Sequence, residues 1–260
     1  TYDNANANIT KITDAQGSML REYIYDTLGR LTRENNQASD RTYIYTYDNN
    51  GNILSKKIYG YSEGSGTPST TLYSTYNYTY GNSNWGDQLT SYRGQTISYD
   101  SVGNPTSYYN GSRMTMTWTG GNLMSVVNGG QTTSYTYNDS GIRTGKTAGG
   151  IEHRYLLDGS LILSEEYDGK LFLYMYDENG APIGLKYREN SYGKDVFDVY
   201  LFEKNLQGDV IGIFREDGTQ VVWYDYDAWG NRIDGAWVDN EKYEELFYAN
   251  PFRYRGYYQD

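Results

Sequence analysis

Polar and apolar positions along this chain alternate with a period of two over short stretches, and each stretch runs into the same kind of turn. Across residues 43–47 the alternation puts Tyr43, Tyr45 and Tyr47 on one side of an extended chain and Ile44 and Thr46 on the other. The residues that follow, Asp48-Asn49-Asn50-Gly51-Asn52-Ile53, supply an Asx side chain that can cap a turn and a glycine that can take positive φ. Strand, tight turn and strand are predicted. The pattern, Tyr-x-Tyr-Asp/Asn-x-x-Gly and then Asn or Arg before an aliphatic residue, recurs with Tyr25, Asp26 and Gly29, with Tyr47, Asp48 and Gly51, and with Tyr99, Asp100 and Gly103. It returns with Trp118 in the tyrosine slot, with Tyr137, Asn138 and Gly141, with Tyr176, Asp177 and Gly180, and with Tyr226, Asp227 and Gly230. Weaker copies begin at Tyr2, Tyr78 and Tyr200, the last reading Tyr200-Leu201-Phe202-Glu203. The intervals fall in the range of about 20–50 residues that marks repeat architectures.

One such hairpin cannot bury its tyrosine face, so the units are expected to stack edge to edge in an all-β fold. Departures from the repeat are local. Residues 59–71, rich in Gly and Ser, read as an exposed loop, and Asn82 to Asp87 as another. Residues 239–249 predict the one helix, capped by Asp239 or Asn240 and stopped by Pro251. Tyr243, Leu246 and Phe247 form its apolar stripe, while Glu244 and Glu245 face water. The domain organisation that follows is a repeat array over 1–221, then a last repeat, the short acidic helix and a tail that occurs once, over 222–260.

Composition sharpens this picture. Thirty-two tyrosines and 17% aromatic residues, against 37% hydrophobic residues in all, make the available core mostly aromatic, with hydroxyls that need partners. A formal net charge of -11 argues against a grip on nucleic acid or an anionic membrane. There is no cysteine, hence no disulfide or thiolate metal site. No apolar run approaches the ~20 residues of a membrane helix. The chain opens inside a repeat and reads as a piece of something longer.

Candidate chemistry is sparse. Gly60-Tyr61-Ser62-Glu63-Gly64 matches GxSxG but precedes a Gly/Ser loop where a nucleophile elbow needs a helix. His153 is the single histidine and reads as a surface strand residue. Asp225 to Asn231 resembles the start of an EF-hand loop, but Trp229 and Ala236 occupy two ligand positions. Glu165 and Glu166, adjacent on a strand, point to opposite faces and form no carboxylate pair. No metal or cofactor is expected. The tyrosines read first as packing, then as the lining of a cargo cavity, then as platforms for sugar.

The repeats, followed by Tyr226-Asp227-Ala228-Trp229-Gly230-Asn231 and then Asn250-Pro251-Phe252-Arg253-Tyr254-Arg255-Gly256-Tyr257, resemble the RHS/YD-repeat family, and within it the RHS repeat-associated core region. Similar proteins are bacterial polymorphic toxins, wall-associated contact-dependent toxins and the C components of insecticidal Tc toxins. The resemblance implies a curved or spiral sheet forming part of a hollow shell, secreted or displayed at a bacterial cell surface, around a toxic effector domain of the same polypeptide. It also implies that the core region plugs the shell and, in several members, frees the toxin by aspartyl self-cleavage. Asp260 lines up with an aspartate of that centre, but an aspartyl dyad needs two carboxylates, and the second partner and the scissile segment are missing. The chain is therefore expected to be no enzyme. Arg253 and Arg255, placed on one face opposite Phe252 and Tyr254, are either surface cations answering the local acidic charge or, as the family implies, anchors of the core module. The alternative function is a carbohydrate-binding or adhesion module that stacks residues such as Tyr224 or Trp229 on a cell-surface glycan.

Overall fold

A tyrosine-faced hairpin is unstable alone, and within each of two sheets the strands here pair with the next in antiparallel order. The computed structural model describes residues 1–3, 7–189, 196–238 and 241–260. Strands β1 (Lys11–Thr13), β2 (Met19–Tyr25), β3 (Leu31–Asn36), β4 (Arg41–Tyr47), β5 (Ile53–Gly60), β6 (Leu72–Tyr80), β7 (Leu89–Tyr92) and β8 (Gln95–Thr96) lie in that order in one sheet. A second sheet continues in sequence order through β9 (Ser98–Tyr99), β10 (Pro105–Asn110), β11 (Ser112–Thr119), β12 (Asn122–Asn128), β13 (Gln131–Tyr137), β14 (Arg143–Ala148) and β15 (Ile151–Asp158). It is completed by β16 (Leu161–Tyr167), β17 (Lys170–Tyr176), β18 (Pro182–Glu189), β19 (Asp198–Lys204), β20 (Val210–Arg215), β21 (Gln220–Tyr226) and β22 (Arg232–Trp237). One helix, α1 (Glu241–Ala249), and a 3-10 turn at Tyr254–Gly256 follow. The fold is all-β, as the alternation predicts. Contacts divide the chain inside β11 into two units, Thr1–Thr115 and Met116–Asp260.

The predicted turns are real and uniform. Asp26 Oδ1 accepts from the amides of Leu28 at 3.0 Å and Arg30 at 2.9 Å, while Gly29 N donates to Asp26 O at 3.0 Å. The same bonds recur around Asp48, Asp100, Asn138, Asp177 and Asp227. Each closing glycine has positive φ, from 74° at Gly141 to 94° at Gly103, a region that side chains disfavour. Two further copies went unread in the sequence. Asp14 and Asn205 make the same bonds, but Thr13 and Lys204 precede them where tyrosine is expected. The copy placed at Phe202-Glu203 is thus corrected: β19 runs on to Lys204 and turns at Asn205. The unit with Trp118 turns through Gly120 and Gly121, both at positive φ, in place of an Asx cap.

Tyrosine does more than cover a face. Hydroxyls donate to backbone carbonyls from Tyr25 to Ile9, Tyr47 to Leu31, Tyr80 to Ile53 and Tyr99 to Leu89, at 2.9, 2.6, 3.2 and 2.6 Å. Tyr137 to Leu123, Tyr176 to Ile162 and Tyr226 to Val210 follow, at 2.8, 2.5 and 2.9 Å. Except at Ile9, which precedes β1, the acceptor lies at the start of a strand, just past the previous turn of the same margin. Each repeat that carries this tyrosine is stapled to the chain before it. Burial pushes the Tyr47 and Tyr176 hydroxyls up to about 12, so they stay protonated donors at neutral pH.

Within Thr1–Thr115 the loop after β5 is less exposed than predicted, because it closes over a polar cluster. Arg33, Asn35 and Thr42 are buried. Arg33 donates to Gly66 O and to Ser62 O and Oγ, Asn35 Nδ2 donates to Gly64 O at 2.9 Å, and Glu22 Oε2 accepts from Gly64 N at 2.9 Å. These bonds supply backbone partners that a Gly/Ser loop lacks on its own.

Within Met116–Asp260 the core is aromatic and aliphatic together, with Phe172, Leu185, Tyr187, Tyr200, Val222 and Tyr224 buried across β17 to β21. Helix α1 seals one side with Leu246 and Phe247, 2% and 3% exposed, and Phe247 packs on Gly235, where a Cβ would lie 2.8 Å from its ring. The predicted caps Asp239 and Asn240 lie outside the described residues. Glu244 is exposed as expected, but Glu245 is corrected: it is half-buried, ion-paired with Lys170, and accepts from Tyr187 OH at 3.1 Å.

Two outcomes test this construction. Tyr226→Phe removes a buried hydroxyl from Val210 O and is expected to cost about 1–2 kcal/mol in urea unfolding, whereas Tyr257→Phe, at a residue 71% exposed, changes nothing measurable. Hydrogen bonds from their own turns hold Asp26, Asp48, Asp100 and Asp177 below the ordinary aspartate value of 3.8, with Arg30 N, Asn52 Nδ2, Asn104 Nδ2 and Ala181 N the largest contributors. Their stabilisation is therefore full above that value and is lost as pH falls through the lowered folded values. Thermal midpoints should drop steeply below about pH 4. Asp48→Asn, which keeps the cap as Asn138 does, should soften that acid loss, and Asp48→Ala should lower the midpoint at pH 7.

Candidate functional site

The chemistry-bearing residues of Met116–Asp260 gather where the tail returns to the sheet. Asn250, 1% exposed, ends α1 by donating from Nδ2 to Phe252 O at 2.8 Å and accepting from Phe252 N at 3.2 Å, with Pro251 between them. That local ring turns the chain inward. Phe252 enters the core edge-on to Tyr174, with ring centroids 4.9 Å apart. Arg253 is buried: Nε donates to Asn250 O at 2.8 Å, Nη2 to Phe247 O, and the guanidinium lies 4.1 Å above the Tyr224 ring. It clamps the end of the helix to the last repeat. Burial draws its pKa below the ordinary arginine value, yet leaves it charged and well partnered.

Arg253 and Arg255 do not share a face, which corrects the strand-based expectation. The segment is a turn, with Arg255 at φ 55°, and while Arg253 is buried the Arg255 side chain is 46% exposed. Arg255 N donates to the buried carboxylate of Asp209 at 2.8 Å, and Arg253 O accepts from Val210 N at 3.0 Å, so the tail extends the turn before β20. Tyr254 lies flat against Gly230, where any Cβ would meet its ring, and Gly256, at φ 66°, lies where a Cβ would be 3.1 Å from Pro182. Asn231 Nδ2 donates to Asp227 Oδ2 at 3.0 Å, and Trp229 and Tyr257 stand at the surface, 46% and 71% exposed. Tyr224 is 3% exposed and donates to Phe247 O, so it cannot serve as a sugar platform.

The tail then reaches a carboxylate that the sequence did not single out as a centre. Glu165 is buried and Glu166 exposed, opposite faces as expected. Glu165 accepts from Tyr174 OH and Tyr258 OH, each at 2.8 Å, and its Oε1 lies 2.6 Å from His153 Nδ1. His153 is therefore no surface residue: its side chain is 12% exposed and stacks on Tyr167 at 4.1 Å. Burial raises the Glu165 pKa, but the three hydrogen bonds outweigh it and hold the carboxyl below its ordinary value. Burial, with Glu165 beside it, pushes the Tyr258 hydroxyl far up. That hydroxyl also meets Lys146 Nζ at 3.3 Å and Tyr155 OH at 3.2 Å. Asp260 closes the set, with Oδ2 2.6 Å from Arg143 Nη1 and Oδ1 3.3 Å from Lys146 Nζ.

The arrangement is a latch of acceptors and donors more than a reaction centre. The contacts of Asp260 are with cations, and among the described residues no three His, Asp or Glu side chains gather as a metal site. Ser62 is spent on Arg33 and Thr42 in the loop after β5, with no helix behind it.

No family model matches the chain. It is 33% identical over 245 residues, 91% of its length, to the tRNA3(Ser)-specific nuclease WapA of Bacillus spizizenii, and equally to the tRNA nuclease WapA of Bacillus subtilis. With the repeats and the tail geometry in place, that similarity decides the matter. The chain belongs to the RHS/YD-repeat family. It spans 9% of the length of each of these curated relatives. The crystal structure of TcdB2-TccC3 aligns with 100% of this chain and 16% of its own, at 13% identity and a TM-score of 0.48.

In this RHS/YD-repeat segment Arg253 meets Tyr224, Tyr254 meets Tyr226 and Gly230, and Arg255 N meets Asp209 in the turn before β20. Tyr258, Glu165 and His153 were missed because they lie on two strands and the distant tail, and nothing in their local sequence marks them. Glu165→Gln places an amide donor among three donors and is expected to cost about 3 kcal/mol. Amide exchange should accelerate first at Gln259, whose N–H is held by Pro251 O at 2.8 Å; unchanged exchange there would separate the tail from the Glu165 latch.

Proposed function

We propose that this chain is a structural segment of a larger bacterial toxin, a wall of a shell in which a C-terminal effector of the same polypeptide is confined until delivery. Residues 1–221 are the repeat array, and residues 222–260 carry the last repeat and the start of the plug. The observation that carries this reading is the tail folded back on the tyrosine face, burying Phe252 and Arg253 and latching Tyr258 to Glu165. A stapled repeat array can be lengthened without a new core, and a docked tail gives it an end. The similarity to proteins named as tRNA nucleases supports an effector-bearing parent, secreted or at the cell surface. The catalytic work belongs to that effector, and this chain contributes confinement.

The test uses the natural full-length protein. The C-terminal effector should resist added protease while the repeat array is intact and become cleavable once the array is cut at an inserted site. Equal cleavage before and after that cut contradicts confinement. The purified chain, incubated with total tRNA, should leave it intact and should not shorten itself on storage; nuclease activity that follows the chain through purification refutes the structural assignment.

A further inference from the structure

No disulfide can join the strands of this chain, which has no cysteine, and its most abundant oxidisable side chain is the phenol. In the staples the phenols are spent singly on backbone carbonyls, as Tyr47 and Tyr80 show. A different group in Thr1–Thr115 gathers ring against ring. Tyr78 on β6 and Tyr92 on β7 stand directly opposite in register, with ring centroids 5.0 Å apart and planes inclined at 48°. Tyr92 also stacks on Tyr108 of β10 at 5.8 Å and 12°, and on Tyr76 at 6.2 Å and 18°. It is the hub of the group, and its local sequence fixes it there. Arg93 at φ 53° and Gly94 at φ 75° make the two-residue turn that pairs Tyr92 with Gln95, and Arg93 N donates to Asn77 O at 2.9 Å. The Arg93 guanidinium then lies 4.7 Å from the centre of the Tyr76 ring.

The Tyr78–Tyr92 pair is set apart by where its oxygens lie. The two hydroxyls are hydrogen-bonding neighbours, and burial, with Tyr92 beside it, raises the Tyr78 hydroxyl. Oxygens that meet bring together the ring carbons flanking them, which are the carbons at which phenoxyl radicals couple. The inclination suits the product, since two joined phenol rings are kept from lying flat by the groups beside the new bond. Other pairs lack this combination. The hydroxyls of Tyr155 and Tyr258 also meet, but the rings are edge-on at 5.8 Å and 68°, and the Tyr258 hydroxyl is tied to the buried Glu165. Tyr226 and Tyr254 are 6.4 Å apart, with the Tyr226 hydroxyl held by Val210 O. Tyr78 and Tyr92 are half-buried, so the group is open to an oxidant. The pair also sits where a covalent bond has something to hold. The β6–β7 ladder runs only from Tyr78↔Tyr92 to Tyr80↔Leu89, and residues 81–88 connect the two strands beyond it.

We propose that Tyr78 and Tyr92 form a site of oxidative cross-linking, at which a peroxide oxidant joins the two rings as dityrosine. Each phenol gives up one electron and its hydroxyl proton. The two phenoxyl radicals form a carbon–carbon bond ortho to their oxygens, and the hydrogens on the bonded carbons move to the oxygens as the rings regain aromaticity. Two electrons and two protons leave in all, and they reduce one hydrogen peroxide to two waters. A radical formed first on Tyr76 or Tyr108 can take an electron and a proton from Tyr92 through the stacked rings and so pass the oxidation to the pair. Holding the rings together replaces an encounter between chains by one within the chain. The site shares no residue with the tail and its latch, and it does not rest on the confinement reading.

The test treats the full chain with peroxidase and limiting hydrogen peroxide at several protein concentrations, and follows dityrosine fluorescence and intact mass. The monomer should lose two hydrogens with a yield that does not depend on protein concentration, and peptide mapping should place the link between Tyr78 and Tyr92. Tyr92→Phe and Tyr78→Phe should each lower the yield of dityrosine in the monomer about tenfold or more, while Tyr257→Phe, at an exposed residue, leaves it unchanged. In chain unfolded by urea the preference for this pair should vanish. Phenylalanine keeps the ring, and circular dichroism melts establish that each variant is folded; if one is not, the other decides. A monomer without dityrosine, a link found only between chains, a link mapped to another pair, the same preference in urea, or an unchanged yield in the folded Tyr92→Phe or Tyr78→Phe chain would overturn the proposal.

Discussion

A phenol packed in a sheet brings a hydroxyl that must end at an acceptor, and this chain carries thirty-two tyrosines. The rest of the structure depends on how that constraint is met. Where a tyrosine precedes an Asx turn its hydroxyl reaches across to the carbonyl of the preceding unit, as Tyr47 does to Leu31 and Tyr226 to Val210. The ring covers the sheet face and the hydroxyl laces the margin. Repeats of moderate hydrophobicity therefore cohere through a bond renewed in each unit that carries this tyrosine, in addition to the strand ladder.

The same logic extends beyond the last strand. After Tyr226 one more turn leads into β22, and then α1 and the tail pack back on the sheet. Arg253 satisfies the carbonyls at the end of α1, Phe252 fills the aromatic core, and Tyr258 and Asp260 attach to Glu165, Lys146 and Arg143. Buried polar groups carry much of this closure, and Glu165 draws its partners from β15, β17 and the tail. Such a network specifies one docked position, because a tail shifted by one residue would take Asp260 away from Arg143 and Lys146.

Sequence period and turn chemistry made the all-β fold and six Asx turns legible, since both depend on residues within one hairpin. What escaped depends on partners far along the chain. Asp14 and Asn205 form the same turn after Thr13 and Lys204, showing that the Asx–Gly spacing defines the turn and the tyrosine adds only the staple. His153, the single histidine, read as a surface strand residue, but Glu165 on the adjacent strand and Tyr167 draw it in. Arg253 and Arg255 looked like strand neighbours until positive φ at Arg255 broke the period. Gly230 and Gly235, one in a turn and one in a strand, share a purpose that only packing reveals: each makes room for an aromatic ring of the terminal module.

The most direct measurement of the staple is the hydroxyl proton itself. In an equal mixture of light and heavy water, tyrosines labelled at Cζ give two signals when the hydroxyl exchanges slowly and one averaged signal when it exchanges freely. Split signals are predicted for Tyr226 and Tyr176, whose hydroxyls are bonded to Val210 O and Ile162 O, and averaged signals for the exposed Tyr248 and Tyr257. Averaged signals from Tyr226 and Tyr176 in the folded chain would contradict the account.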